Sequence, residues 1–177
     1  SIPGRQSRPL AKASMAPVAT QTRERRHYPY ADWAAVERIV PDIVRGGGVA
    51  RPRLVTREEE IALFEEVQKG NSAARDVLIE VNLPLVRSIA NKFVASDRVM
   101  TLGISFEDLF SVGLLGNDSK KGIFYNGLVR AIGLFDPGRR VKFSTYAYRA
   151  VRVAMITYIE RLAGKTHNTK ADFLELR

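Results

Sequence analysis

The chain contains no cysteine, which excludes disulfides, thiol chemistry and every zinc site built on cysteine. Histidine is nearly as scarce: His27 and His167 are the only two and lie far apart, so a histidine-rich metal site is not expected. No apolar run approaches the ~18 residues that a membrane span needs. Acidic residues are the minority charge, 19 against 28 lysines and arginines, which leaves a formal charge of +9 over 177 residues. What the sequence does have is apolar content: 45% hydrophobic residues suffice for a buried core and argue against global disorder. The expectation is a soluble, basic, intracellular protein of one domain plus tails, with a polyanion as the leading partner and a solvated basic face as the plain alternative.

Composition changes near residue 50. Residues 1–26 carry six cations against Glu24 alone, with three prolines and no apolar periodicity, and read as a disordered basic arm. The same Arg-rich, acid-poor composition fits an organelle transit peptide, and Ser1 in place of Met fits either processing or trimming. Residues 30–44 form a short amphipathic segment with Trp33, Val36 and Ile39 at helical spacing, to be broken at Pro41. Gly46, Gly47 and Gly48 read as a flexible joint, so the compact domain is expected over residues 52–165, with 166–177 as a tail or the start of a linker.

From residue 52 the pattern is helix after helix. Thr56 and Glu59 have capping-box spacing ahead of Ile61, Phe64 and Val67, and Gly70 is a terminator. Asn71 or Ser72 caps a helix through Val81, and Asn82 with Pro84 marks a fresh start. Ser105 and Asp108 repeat the capping-box spacing ahead of Leu109, Phe110 and Leu114. Leu128, Ala131, Ile132 and Phe135 make another stripe, closed by the turn Asp136-Pro137-Gly138. Ser144 or Thr145 caps a last long helix with Ala147, Ala150, Val151, Ala154, Tyr158 and Leu162 on its inner face. With no sustained period-two pattern, the fold class is all-α, a compact helical bundle with a disordered basic N-terminal arm.

Catalytic patterns are missing. Gly164-Lys165-Thr166 resembles the end of a phosphate loop, but Ile159 stands where that motif needs glycine and a helix stands where it needs a strand. Glu58, Glu59, Glu60, Glu65 and Glu66 fit the polar side of an amphipathic helix. Neither an enzyme nor a cofactor is expected. Basic residues are more telling: residues 138–177 hold nine cations, among them Arg139, Arg140, Lys142, Arg149 and Arg152, against three carboxylates. Phe143, Tyr146 and Tyr148 sit among them, the combination of phosphate-tracking charge and base-stacking rings used on single strands.

Specific segments resemble the bacterial sigma-factor family. Asn82–Ala90 (NLPLVRSIA), Ile104–Gly113 (ISFEDLFSVG), Leu128–Asp136 (LVRAIGLFD) and Lys142–Ala147 (KFSTYA) match the family's blocks in order, and Thr56–Glu60 (TREEE) resembles the run that precedes them. The resemblance implies the family's second domain, which docks on the clamp-helix coiled coil of core RNA polymerase. It also implies recognition and melting of the promoter −10 element by capture of flipped non-template-strand bases, without nucleotide hydrolysis. Carried over by position, Asp108, Ser111, Val112, Leu114 and Val129 would contact polymerase. Lys142, Phe143, Thr145 and Tyr146 would hold the flipped adenine, with Tyr146 as the stacking platform; Arg152 would face phosphate. Arg139, Arg140 and Arg149 add cationic contacts to DNA, and Val153 and Ile156 fall where the first −10 base pair is read. The implied location is cytoplasmic and nucleoid-associated, an anti-sigma factor is a further implied partner, and no membrane contact is implied.

Four departures qualify the match. The aromatic pair at the upstream fork of housekeeping members is Arg149-Ala150; the polar readers of the first −10 pair are Val153 and Ile156; and the polar pair at the polymerase contact is Ser111-Val112. These set the chain among alternative or divergent members. The largest departure is an 11-residue insert, residues 117–127, rich in turn signals and expected to leave and rejoin the bundle. Its Ile123-Phe124-Tyr125 is either a partner-binding tip or a segment that packs down. If the insert blocks docking, the chain is a sigma-like regulatory protein; a general nucleic-acid binder is the other alternative. The family's helix-turn-helix that reads the −35 element has no counterpart here, so either the chain is a fragment or one domain carries promoter recognition.

Overall fold

A computed structural model describes residues 28–118, 124–138 and 141–164. The expected arm at 1–26, the insert tip at Ile123, Arg139 and Arg140, and the tail at 166–177 lie outside these residues. Seven helices and two short hairpins are described: α1 Trp33–Ile39, β1 Val44–Arg45, β2 Gly48–Val49, α2 Arg57–Lys69, α3 Ser72–Val94, α4 Asp97–Thr101, α5 Phe106–Leu115, β3 Asn117–Asp118, β4 Phe124–Tyr125, α6 Leu128–Leu134 and α7 Phe143–Leu162. The fold is helical, as its periodicity predicts, with α3 at the centre against α2, α5, α6 and α7.

Local signals explain most helix ends. Thr56 accepts the Glu59 N–H and the Glu59 carboxylate accepts the Thr56 N–H, a complete capping box for α2. Ser105 and Asp108 make the same reciprocal pair at α5. Gly70 ends α2 in the left-handed conformation at φ 92°.

Three helix or domain limits differ from expectation, each because tertiary packing outweighs a local signal. The expected break between Val81 and Pro84 is absent: α3 runs unbroken through Pro84. Proline lacks the N–H that would bond the carbonyl of Glu80, but Glu80 and Pro84 are both exposed, so water can serve that carbonyl. The inner stripe Val77, Leu78, Val81, Val86, Ile89 is buried on both sides of the proline and holds the helix together. Helix α7 begins at Phe143, and neither Ser144 nor Thr145 caps it; Lys142 occupies the cap without a side-chain bond. Phe143 is buried, and its N–H donates to Glu60 Oε1 of α2 over a long 3.4 Å. The packed unit also starts well before residue 52. Val36, Val40, Ile43 and Val44 are buried in the same core as the later helices, and Gly46 and Gly47, at φ 63° and 77°, form the tight turn of the β1–β2 hairpin.

A buried polar hub fastens this N-terminal segment. Asn71 is fully buried; its Oδ1 accepts from the N–H groups of Asp32 (2.9 Å) and Ala73 (3.1 Å), and its Nδ2 donates to the Asp32 carbonyl (3.2 Å) and to Glu66 Oε2 (3.0 Å). All of its bonding capacity is used, the condition under which a buried amide stabilises. On the other side, Arg53 bridges Asp42 and Glu59, tying the hairpin to the start of α2.

The aromatic centre is Phe64 of α2, Phe135 after α6 and Phe143 of α7, with ring centroids 4.8–5.1 Å apart. Phe64 is 1% exposed. Phe64→Ala is expected to cost ~3–5 kcal/mol of unfolding free energy in urea titration; a loss below ~1 kcal/mol would remove the cluster from its structural role.

Several carboxylates are held below their ordinary values: Glu59 chiefly by its hydrogen bond from Arg53, Glu66 by Lys69 and then Asn71, and Asp108 by the backbone N–H and then the hydroxyl of Ser105. Each binds a proton more readily unfolded than folded, so its contribution is complete above the ordinary value of 4.5 for glutamate or 3.8 for aspartate and is lost as pH falls below it. The melting temperature should therefore be level near neutrality and decline below about pH 4.5. Glu59→Gln should flatten that decline; an acid limb of unchanged steepness would contradict the assignment.

Candidate nucleic-acid interface

Helix α7 has two faces with opposite characters. Ala147, Val151, Ala154, Met155 and Ile159 are buried against the bundle. Met155 and Ile159 take the place that sequence periodicity assigned to Leu162, which is half exposed, and to Ala150 and Tyr158, which are only partly buried. The outward face carries Lys142, Thr145, Tyr146, Arg149, Arg152, Val153 and Ile156. Their spacing of three and four residues lines them up along one side of the helix. Lys142, Thr145 and Arg149 are exposed, and the other four are half-buried. From Lys142 to Ile156 the stripe runs ~21 Å at 1.5 Å per residue, about six nucleotide steps of 3.4 Å.

Phe143 is the exception among the expected DNA-contacting residues. It is 1% exposed and belongs to the aromatic core, so its side chain supports the surface from beneath. Tyr146 rests on that core: its ring lies 5.6 Å from Phe135 at 45°. A tyrosine backed in this way loses little freedom on stacking, which suits it to receive a planar base.

The expected polymerase contacts fall on α5 and the start of α6. Asp108 and Ser111 are exposed, while Val112, Leu114 and Val129 are half-buried. The Asp108 carboxylate is already engaged by the Ser105 N–H (3.0 Å) and hydroxyl (2.8 Å), so its first task is to cap α5. Sequence reasoning missed Gly113, where α5 crosses the core: an added Cβ would meet the terminal methyl of Met155 and lie 3.0–3.1 Å from Val86 and Val151. Its place at the end of the Ile104–Gly113 block offered no hint of this, because the crowding comes from α3 and α7.

The insert leaves and rejoins the bundle as expected. Helix α5 stops at Leu115, β3 pairs with β4 in an antiparallel hairpin, and α6 starts at Leu128. Its neck is tight: a Cβ on Gly127 would meet the backbone of Gly116 at 2.5–2.8 Å. Two bonds dock this neck on α7, from Asn117 Nδ2 to the Ala154 carbonyl (2.5 Å) and from the Gly127 N–H to the Ala150 carbonyl (3.3 Å). Asn117 is 4% exposed, and its Oδ1 finds no partner among the described residues.

Among the described residues no helix is long and apolar enough to cross a membrane, and no group of three or more histidines or carboxylates is arranged to hold a metal.

The sigma-70 region 2 family model matches residues 125–164, from the returning strand of the hairpin to the end of α7. An RNA polymerase sigma-E factor of Clostridium acetobutylicum is 34% identical over 116 residues, covering 66% of this chain and 42% of that protein. A putative RNA polymerase sigma-G factor of Bacillus thuringiensis subsp. kurstaki is 37% identical over 102 residues, covering 58% of this chain and 68% of that protein. The chain thus spans less than half the length of the first relative and about two thirds of the second. By these matches and its helical fold, the chain belongs to the sigma-70 family of RNA polymerase sigma factors.

Proposed function

We propose that this chain engages core RNA polymerase through α5 and the start of α6, and promoter DNA through the outer face of α7. In this reading Asp108, Ser111, Val112, Leu114 and Val129 meet the clamp-helix coiled coil. Tyr146 stacks on an everted non-template base of the −10 element beside Lys142 and Thr145, while Arg149 and Arg152 neutralise phosphates and Val153 and Ile156 meet the edge of the upstream pair. Stacking and charge offset the few kcal/mol that unstacking a base costs. Arg139 and Arg140, just before Lys142 in sequence, add positive charge for DNA, the protein acts in the cytoplasm at the nucleoid, and the basic residues of 1–26 add non-specific attraction to DNA. The observation that carries the reading is the α7 stripe: cations, a tyrosine backed by the core and the apolar Val153 and Ile156 share one helix face, and none of them is fully buried.

A second reading, a sigma-like regulator that no longer docks normally, draws on the hairpin that parts α5 from α6 and bonds to α7. Retention of core polymerase separates the two. Because the backbones of Gly116 and Gly127 touch, a variant lacking residues 117–126 can rejoin there and keep the bundle. Capture of core polymerase by the intact chain supports the initiation-factor reading. Capture by the deletion variant alone would put the regulator reading ahead, and capture by neither would remove polymerase docking. On DNA, Arg149→Ala should weaken binding to all sequences alike and reduce the slope of log K against log salt by about 0.7–0.9; a loss confined to one base position would contradict a phosphate role.

A further inference from the structure

A cavity of about 370 Å³ opens between the C-terminal half of α3, helix α4 and the second half of α7. Its size is at the lower end for small-molecule sites and suits a ligand of one nucleotide. Phe93, Val99 and Ile159 give it an apolar floor, and the Tyr148 ring forms part of its wall. Three cations reach it from three different helices: Lys92 of α3, Arg98 of α4 and Arg152 of α7. Lys92 and Arg98 are exposed, so their charges stand at the mouth, and neither makes an ion pair among the described residues. The one carboxylate in the lining is Glu160, which is buried.

A chamber lined by apolar and aromatic side chains together with three cations is complementary to one class of ligand: a planar ring system that carries phosphate. We infer that this cavity is a nucleotide-binding site, with the base seated over Phe93 and Val99 beside Tyr148 and the phosphate held by Lys92, Arg98 and Arg152. The site is distinct from the Tyr146 platform, which takes no part in the lining. The occupant is either a free nucleotide or one unpaired nucleotide within a strand, since both present the same base and phosphate.

The test uses the whole chain and four probes by calorimetric titration: ATP, adenosine, tripolyphosphate and a short single-stranded oligonucleotide. ATP should bind at least tenfold more tightly than adenosine or tripolyphosphate, because the site needs both ring and charge. Lys92→Ala with Arg98→Ala, two exposed changes that leave the core untouched, should weaken ATP at least tenfold, whereas Tyr146→Ala should leave it unchanged. That pattern identifies a free nucleotide as the occupant. Binding of the oligonucleotide but not ATP, weakened tenfold by the same double change and not removed by Tyr146→Ala, identifies a nucleotide within a strand. Equal affinity for tripolyphosphate and ATP, insensitivity to the double change, or no binding of either nucleotide probe at millimolar concentration would overturn the inference.

Discussion

The contact on which the rest depends is the meeting of Phe64, Phe135 and Phe143, three rings from α2, the end of α6 and the start of α7. It fixes where α7 begins, with Glu60 of α2 reaching the first N–H of the helix. It also provides the surface on which Tyr146 rests. A helix without a side-chain cap at its own N-terminus is normally frayed there. Here the first turn carries Tyr146 and two flanking exposed residues, and the aromatic cluster anchors that turn to the bundle. In the proposed function, stability and base capture therefore draw on the same three side chains.

The neck of the β3–β4 hairpin bears on the middle of the same helix. Its neck uses the carbonyls of Ala150 and Ala154, four residues apart on α7, as acceptors. Both positions neighbour the outward stripe at Arg149, Arg152 and Val153. A segment added between α5 and α6 thus reaches the helix proposed to meet nucleic acid as well as the surface proposed to meet polymerase. The neck is constrained by the close approach of Gly116 and Gly127, so an excursion of this length is accommodated without parting α5 or α6 from α3.

Much of this was legible in the chain because it depends on neighbours in sequence. Thr56 with Glu59 and Ser105 with Asp108 announce their helices, since both partners of each capping box lie within four residues. The α7 stripe follows from spacing alone once the helix is granted. Pro84 was misleading because a local rule was opposed by a core stripe that the rule does not see. The start of α7 was misplaced because its N-terminal partner, Glu60, is 83 residues away. Phe143 reads as a surface aromatic among exposed Lys142, Ser144 and Thr145, and only the positions of Phe64 and Phe135 bury it. The cavity between α3, α4 and α7 had no signature at all, because its residues come from three helices.

The central claim is that Tyr146, backed by the aromatic core, receives an unpaired base. The most direct measurement compares single-strand affinity for the chain bound to core polymerase with Tyr146 intact, changed to phenylalanine and changed to alanine. Phenylalanine should retain the affinity, because the ring does the stacking, and alanine should lose ~1–3 kcal/mol with the fold unchanged by circular dichroism. Equal affinity for all three would contradict the account.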